Sequence, residues 1–402
     1  MVEKKDNFKF LIVMYTLLMG VYQVADYFYG ISYMIMLNSS LSVRNIAIII
    51  GIKEVCTLIF DFPSGVISDY VGRKKTAALS LILYGGGLIL LTICKSFLTL
   101  LLVFVLIAFA TAMFSGSPQA WFYDTLVRKD KLSERERIIP KMSGAVKLIT
   151  TGANIAAIAF VIVNKNLPLI IGGIAVIVFG ILFLFIFEDN KGKHVGNNFF
   201  STMKEFSVSF FADERMRGML YFESFDYAAF SVFIFTWQLF VLNKFSLTEK
   251  AISVLFVCFT LVMALGNFVT SFLHKYLDGY TICILGRIGM IISFVILFAT
   301  NNLWVAIGGF LIFEMFFSIT NTSISIWRND YISSDNRASF YSGISSVKTL
   351  LAILITFCLG SLIDTTGYRF VWAVALICEF TSLLFTMRFI NKFRELKGVS
   401  YE

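Results

Sequence analysis

The sequence predicts an all-α integral membrane protein with twelve transmembrane helices, and three observations support this prediction. Apolar residues make up 58% of the 402 positions and charged residues only 15%, whereas a typical soluble domain carries about 25% charged residues. The apolar residues form runs of about 20, the length of helix that crosses the hydrocarbon core of a bilayer. The basic residues collect in alternate loops, as in a chain that crosses a membrane repeatedly.

The apolar runs place the twelve spans along the whole chain. We predict them near 10–36, 45–67, 76–94, 97–123, 138–163, 168–187, 217–243, 250–272, 280–300, 303–326, 338–362 and 369–390. The first run is about 27 residues long, well beyond the core of about 7–15 residues found in a signal peptide. We therefore expect this run to remain in the mature protein.

The distribution of basic residues predicts the orientation of the spans. If both termini are cytoplasmic, 24 of the 34 lysines and arginines lie in inner segments and six in outer loops. The other four lie within spans and are Lys53, Lys147, Arg287 and Lys348. Because basic residues accumulate on the cytoplasmic side, we predict a multi-pass protein of the cell membrane with both termini in the cytoplasm.

A polar stretch in the middle of the chain divides the spans six and six. We predict an N-terminal bundle over 1–187, a cytoplasmic linker over 188–216 and a C-terminal bundle over 217–402. Aromatic residues alternate with charges in the linker, between Phe199 and Glu214, as in an amphipathic helix that lies on a membrane surface. An irregular loop is the alternative. Short matches between the halves, such as Leu37-Asn38 and Leu242-Asn243, indicate weak parallel repeats.

Several function classes are disfavoured by the composition. The net charge of +8 is spread over short loops and does not form the basic face that nucleic-acid binding requires. The six cysteines have no metal-ligand spacing, and a phosphate-cradling loop for ATP is absent. The two histidines, His194 and His274, lie in predicted cytoplasmic loops. We therefore predict neither an enzyme nor a cofactor, a metal site or a nucleic-acid partner.

The loop between spans 2 and 3 carries the most specific motif. It contains Gly65, Asp69, Gly72, Arg73 and Lys74. A glycine, an aspartate four residues later, and then a glycine with two basic residues closely resemble the signature loop of the major facilitator superfamily. The resemblance implies two six-helix bundles that work by alternating access, as in bacterial efflux members of the family.

The residue types in this loop also have physical reasons. Gly65 permits close helix contact, and Gly72 permits the positive φ of a very short turn. Asp69 can lie near the N-terminus of a neighbouring helix, and Arg73 and Lys74 can pair with acidic groups or lipid headgroups. We expect these contacts to latch the cytoplasmic ends of the halves in one conformation. A basic turn that only follows the positive-inside bias is the alternative.

Two features depart from drug exporters that work by proton exchange. Such proteins often have an arginine in span 4, four residues before a glycine, whereas this chain has Ala112 before Gly116. They also often have a proline in a glycine-rich part of span 5, and the stretch Thr150–Ala157 has none. The loop after span 8 keeps Asp278-Gly279 but lacks the two basic residues. The usual form of drug antiport is therefore not implied.

Ionisable residues inside the spans are the main site candidates, because they are costly in lipid and usually functional. The resemblance implies that spans 1, 4, 7 and 10 line the central cavity. The candidates for substrate or proton contact are Asp26, Glu54, Lys147, Glu223, Asp226, Glu314 and Lys348. A carboxyl group that loses solvation can exchange a proton near neutral pH, which coupling requires.

Other residues in the spans have weaker or competing interpretations. Lys53 directly precedes Glu54 on the helix and is expected to point to another face. Asp61 and Asp124 lie near span ends, where solvation or capping explains them, and no role is predicted for Glu379. Three tryptophans in spans 4, 7 and 10 are candidates for an aromatic cavity wall or for interface anchors, and these are Trp121, Trp237 and Trp327.

These observations together predict a secondary transporter. We expect two half-bundles that rock around a central site and export a small amphipathic molecule in exchange for protons, in a monomer. Uptake of a nutrient or anion is the alternative, favoured if Lys147 and Lys348 face the cavity. A membrane sensor or scaffold that carries no flux is an alternative from another class.

Overall fold

The computed structural model describes residues 8–131, 135–187, 214–327 and 337–396, and nearly all of these residues are helical. Strands are absent from these ranges. In lipid a backbone polar group finds no water, so a segment that spans the bilayer has to satisfy its own hydrogen bonds as a helix. This confirms the predicted all-α fold class.

Twelve helices lie in the described part of the chain, one at each predicted span. The first six are α1 (Phe8–Asn38), α2 (Val43–Val71), α3 (Arg73–Leu91), α4 (Phe97–Arg128), α5 (Arg135–Val163) and α6 (Leu167–Ile186). The other six are α7 (Glu214–Phe245), α8 (Glu249–Leu273), α9 (Gly279–Ala299), α10 (Leu303–Trp327), α11 (Arg337–Thr366) and α12 (Tyr368–Leu396).

Eleven of these helices are long and apolar enough to cross a membrane. The exception is α2, because Arg44, Lys53, Glu54 and Asp61 are spread along it. A helix that carries so many charges needs polar neighbours or water along part of its length. We therefore expect the charged residues of α2 to have polar partners inside the protein.

The same neighbour pairs recur in the two halves of the chain. Helix α1 packs against α5 and α6, and α3 packs against α4 and α6. In the second half α7 packs against α11 and α12, and α9 packs against α10 and α12. A shift of six helices therefore reproduces the packing, which agrees with the repeats expected from the sequence.

The chain divides into two compact units. The first unit comprises Met1–Ser42, Ile52–Val195 and Glu249–Val254. The second unit comprises Val43–Gly51, Gly196–Thr248 and Leu255–Glu402. The proposed division into domains at 188–216 stays a prediction, since residues 188–213 and their expected amphipathic helix lie outside the described residues.

Side-chain caps set two of the helix starts. The Ser96 hydroxyl accepts from the Thr99 backbone N–H at 3.3 Å and begins α4. The Asp278 carboxylate accepts from the Thr281 N–H at 2.8 Å and begins α9. Such caps satisfy backbone donors that the first helical turn leaves unpaired. Asp278, the acidic residue of the loop after α8, therefore has a structural role.

Glycines bring α3 and α6 into close contact. A Cβ atom placed on Gly85 would lie 2.5 Å from the Gly173 carbonyl oxygen, and one on Gly173 would lie 2.7 Å from the Gly85 carbonyl oxygen. Small residues at such a crossing let two backbones pack directly in a membrane, where van der Waals contact drives helix association.

Replacing Gly85 by alanine is expected to destabilise the first unit, because the new methyl group would meet the α6 backbone, which cannot move aside. Gly86 is a matched control on the same helix, since nothing lies within 4 Å of a Cβ atom there. Thermal unfolding in detergent should show a clearly lower Tm for Gly85→Ala than for Gly86→Ala. Equal Tm values for the two variants would contradict the close contact.

Candidate functional site

The signature loop is a one-residue turn between α2 and α3. Helix α2 ends at Val71, α3 begins at Arg73, and Gly72 between them has φ 111° and ψ 133°. Residues that carry a side chain rarely adopt this backbone conformation, which explains a glycine at this position. Gly65 and Asp69 lie in the last turns of α2, and the Asp69 side chain lies outside the described part.

Lys74 closes the end of α6. Its Nζ atom donates to the Leu184 carbonyl oxygen at 2.9 Å and to the Phe187 carbonyl oxygen at 2.8 Å. The last carbonyls of a helix have no partners within the helix, and a lysine there also interacts favourably with the helix dipole. Lys74 therefore ties the start of α3 to the end of α6. Arg73 is half-buried and also has an interaction partner.

In the first unit, Asp26 of α1 lies among tyrosines. Its carboxylate accepts a hydrogen bond from the Tyr84 hydroxyl of α3 at 2.9 Å. The Asp26 residue is exposed, whereas Tyr84 is 1% exposed. Tyr22 lies between Tyr84, at a ring distance of 5.2 Å, and Phe114, at 3.9 Å. An accessible carboxylate is thus held by a buried phenol.

Lys53 and Glu54 form an ion pair, with 2.9 Å between Nζ and Oε1. The expectation that Lys53 points to another face of α2 is therefore wrong. Adjacent helical residues start about 100° apart around the axis, but the flexible four-carbon stem of lysine can carry its ammonium group back toward its neighbour. Lys53 and Glu54 of α2 therefore neutralise each other within the first unit.

The second unit contains a cavity of about 340 Å³ between α7, α10 and α11. Its lining residues are Glu223, Asp226, Tyr227, Phe230, Phe317, Asn321, Ile324 and Lys348. Three of the predicted candidates, Glu223, Asp226 and Lys348, therefore lie on one cavity. The α7 residues follow the spacing of a single helical face, at positions i, i+3, i+4 and i+7.

The cavity has an aromatic side next to its charged side. The rings of Phe230 and Phe317 stack with their centroids 4.4 Å apart and their planes within 2° of parallel. The Lys348 Nζ atom lies 4.9 Å from the Tyr227 ring centroid, a distance at which an ammonium group is attracted to the ring. Apolar and charged groups of one ligand could both find partners here.

Behind Asp226 lies a buried charge network that joins three helices. Arg287 of α9 lies with its Nη1 atom 2.8 Å from Asp226 Oδ1 of α7 and 3.1 Å from Glu379 Oε1 of α12. Arg287 also donates to the Ser382 hydroxyl, and that hydroxyl donates to the Phe222 carbonyl oxygen at 2.6 Å. The Arg287 side chain is 0% exposed and that of Glu379 is 1% exposed.

Sequence reasoning missed Arg287 as a site residue and found no role for Glu379. A signal was present, because an arginine and a glutamate in separate spans of one half each need a partner inside the bundle. The sequence alone did not show which carboxyl group Arg287 meets. The packing of α9 against α12 decides this.

The other charged candidates are dispersed. Glu314 of α10 is buried, and it makes no hydrogen bond or ion pair with the residues that the structure describes. Lys147 is exposed on α5. Asp61 accepts a hydrogen bond from the Ser115 hydroxyl at 2.7 Å, and the Asp124 side chain lies outside the described residues.

Two of the tryptophans belong to the hydrophobic core. Trp121 is 1% exposed and packs against Phe183 and Phe187. Trp237 is 2% exposed and packs against Phe259. Both rings are therefore core residues and not part of an accessible cavity wall, which corrects the expectation for them. The Trp327 side chain lies outside the described part of the chain.

Across residues 8–131, 135–187, 214–327 and 337–396, His, Cys, Asp and Glu side chains do not form a group of three that could hold a metal ion.

Replacing Arg287 by glutamine is expected to lower stability strongly, because two buried carboxyl groups lose their counter-charge. Breaking a buried ion pair in this way costs about 3–5 kcal/mol. Thermal unfolding in detergent measures the loss. The triple variant Asp226→Asn, Arg287→Gln, Glu379→Gln removes all three charges and should recover most of it.

The control for this experiment is Lys165→Gln, which breaks the pair between Lys165 and Glu249. That pair has 3.0 Å between its charged atoms, but its side chains are 40% and 36% exposed. An exposed pair contributes only about 0–1 kcal/mol. A similar Tm for the Arg287→Gln and Lys165→Gln variants would show that the buried network does not stabilise the fold.

Solved structures of several transporters have the same fold as this chain. The nucleoside transporter NupG is 14% identical, with a TM-score of 0.74 over 96% of this chain and 99% of that chain. A bacterial homolog of the human lysosomal transporter Spinster, in an inward-facing and occupied conformation, is also 14% identical, with a TM-score of 0.74 over 96% and 98%. The xylose transporter XylE from E. coli is 11% identical, with a TM-score of 0.68 over 94% and 99%.

Sequence comparison gives the family. No curated protein matches the chain by sequence. Residues 11–236, more than half of the chain, match the Major Facilitator Superfamily. The match includes the signature loop and the part of α7 that carries Glu223 and Asp226. The chain therefore belongs to the Major Facilitator Superfamily.

Proposed function

We propose that this chain is a secondary transporter that exports a small amphipathic molecule by alternating access, driven by protons. The observation that carries the proposal is the cavity of the second unit, where carboxyl groups, an ammonium group and stacked aromatic rings lie side by side. Its volume of about 340 Å³ lies at the lower end of the roughly 300–1,000 Å³ typical of small-molecule sites.

The lining explains why an amphipathic molecule is proposed. The parallel rings of Phe230 and Phe317 offer a flat apolar surface, while Glu223, Asp226 and Lys348 offer both signs of charge. A molecule with an apolar ring system and a charged or hydrogen-bonding group would satisfy both sides. A purely apolar molecule would leave the charged groups desolvated without partners, which is costly.

Proton coupling is supported by the number of carboxyl groups in the spans. Asp26 and Glu54 in the first unit are accessible, and Asp226 in the second unit joins the cavity to a buried network. A carboxyl group that is exposed to solvent in one conformation and shielded in another can move a proton along with the substrate. We propose that these groups are the coupling residues.

Uptake of a nutrient or an anion is the second candidate. Lys348 faces the cavity, which is half of what this alternative requires, while Lys147 lies exposed on α5. Proteins of the same fold include a D-xylose-proton symporter. A sensor or scaffold without flux is the candidate from another class.

We further propose that the protein is a monomer in the plasma membrane, with both termini cytoplasmic. The excess of basic residues in alternate loops supports this orientation. The signature loop would then face the cytoplasm, where Gly72, Arg73 and Lys74 could take part in gating between the halves. Reaction of single engineered cysteines with a membrane-impermeant reagent tests the orientation.

A substrate search begins with thermal-shift screening of the purified protein against amphipathic amines, nucleosides, sugars and carboxylates. Compounds that stabilise the protein are then tested for proton flux in proteoliposomes that contain a pH-sensitive dye. Asp226→Asn should reduce the compound-dependent flux by roughly tenfold or more, because a hydrogen bond to a charged group contributes about 1.5–3 kcal/mol.

Glu249→Gln is the matched control, since it removes a carboxylate outside the cavity and should leave the flux unchanged. If the flux survives neutralisation of Asp26, Glu54, Asp226 and Glu314 one at a time, the assignment of coupling residues is wrong. If no compound drives flux, the scaffold candidate is favoured.

The direction of transport is tested by comparing inside-out and right-side-out vesicles. In both, the imposed pH gradient makes the extracellular face of the protein the acidic side. Export predicts accumulation of the screened compound in acidified inside-out vesicles. Accumulation only in right-side-out vesicles with an acidic exterior would favour uptake.

A further inference from the structure

The Nη1 atom of Arg287 has more hydrogen-bond acceptors around it than it has hydrogens to donate. The Nη1 atom carries two hydrogens, yet it contacts the carboxylates of Asp226 and Glu379 and the Ser382 hydroxyl. The Ser382 hydrogen is donated to the Phe222 carbonyl oxygen, so this hydroxyl acts toward Arg287 as an acceptor. Two hydrogens cannot serve three acceptors fully, and the contact with Glu379, at 3.1 Å, is longer than that with Asp226.

The charges of the network do not balance either. It brings two carboxyl groups, Asp226 and Glu379, to one guanidinium group. With both carboxyl groups ionised, one negative charge would remain in a site whose side chains are 0%, 1% and 11% exposed. An uncompensated charge in such surroundings is strongly disfavoured. One added proton would remove it.

The geometry indicates where that proton lies. Asp226 Oδ1 and Glu379 Oε1 lie 2.8 Å and 3.1 Å from the same Arg287 Nη1 atom, and two ionised carboxylates have no hydrogen to share between them. Glu379 Oε2 is buried, and none of the described residues donates to it. Asp226 is different, because it reaches the cavity wall and has Arg287 at 2.8 Å.

Helix α12 packs against α7, α9 and α11, and the charged or titratable groups on these helices define the surroundings of Glu379. They are Glu223, Asp226 and Tyr227 on α7, Cys283 and Arg287 on α9, Lys348 on α11, and Cys378 on α12 itself. Glu223, Tyr227 and Lys348 lie at the cavity, on the side of Asp226. Within the described residues Glu379 therefore has one cation in contact with it and one carboxyl group that competes for that cation.

We propose that Glu379 is the proton-binding group of the second unit, and that its proton is shared with Asp226 through a hydrogen bond. The inference rests on the proposed function, because it identifies where the coupled proton is held. Arg287 is a positioning residue in this scheme, since it holds both carboxyl groups without contacting the cavity.

The proton controls the charge of the cavity wall. While Glu379 is neutral, Arg287 donates its Nη1 hydrogens to Asp226 and Ser382. The positive charge of Arg287 then balances the negative charge of Asp226. After Glu379 loses its proton, Arg287 is divided between two carboxylates. Asp226 then presents more negative charge to the cavity and attracts a cationic or hydrogen-bond-donating group, so that the release of a proton and the binding of such a group are linked.

Infrared spectroscopy of the purified protein during a pH titration tests the proposal without any substrate. The wild-type protein should show a protonated-carboxyl band that disappears as the pH rises. Glu379→Gln should lack this band. Asp226→Asn should also lose the band, because Arg287 and Glu379 then balance each other in charge and Glu379 stays ionised. Glu314 is itself buried and is a candidate for proton exchange, so these titrations are made in Glu314→Gln protein, where the additional change Glu249→Gln should leave the band unchanged.

A second measurement keeps the proposal testable if Glu379→Gln does not fold. Glutamate labelled with ¹³C in its side-chain carboxyl group is incorporated into Glu314→Gln protein, which removes the other buried glutamate of the second unit outside the cavity. The band should then move to lower frequency. A band that survives in Glu379→Gln, or that ¹³C-glutamate does not shift, would show that another group holds the proton and would overturn the proposal.

The two proposals can fail separately. A band that belongs to Glu379, in a protein that shows no proton flux in proteoliposomes, supports the proton site and rejects the proposed transport. Substrate-driven proton flux without any titrating Glu379 band rejects the proton site and leaves proton-coupled transport in place.

Discussion

A buried guanidinium group needs negative charge beside it, and this requirement organises the second unit. Arg287 brings Asp226 of α7 and Glu379 of α12 to α9. In lipid a misplaced charge is expensive, so the network determines which faces of three helices point inward. Once Asp226 is held, the rotation of α7 is set, and Glu223, Tyr227 and Phe230 follow on the same face toward the cavity.

The two units share one packing scheme and differ in their polar groups. Each half repeats the same neighbour pairs. In the first unit Lys53 pairs with Glu54, and Asp26 accepts a hydrogen bond from Tyr84. In the second unit the corresponding charges are buried behind a cavity wall. One packing scheme therefore holds different arrangements of charged groups in the two units, in keeping with the rule that function depends on side chains placed on a fold.

Much of the fold was predictable, and less of the site. All twelve predicted spans correspond to helices, because apolar length against bilayer thickness is a local property. The one-residue turn at Gly72 could also be anticipated. The Lys53–Glu54 pair was mispredicted because helix geometry describes where side chains begin and not where a long, flexible one ends. Trp121 and Trp237 were misjudged because an aromatic ring suits a core and a cavity wall equally well by composition.

The sequence by itself determined the helical class, the order of the spans, the family motif and the set of charges that enter the membrane. Each of these depends on residue type and on neighbours along the chain. Only the tertiary structure decided which charges meet. Arg287 contacts residues 61 and 92 positions away, and such contacts depend on how each helix is rotated and which helix lies beside it. Those choices are made by the packing of whole helices, which no local pattern in the chain contains.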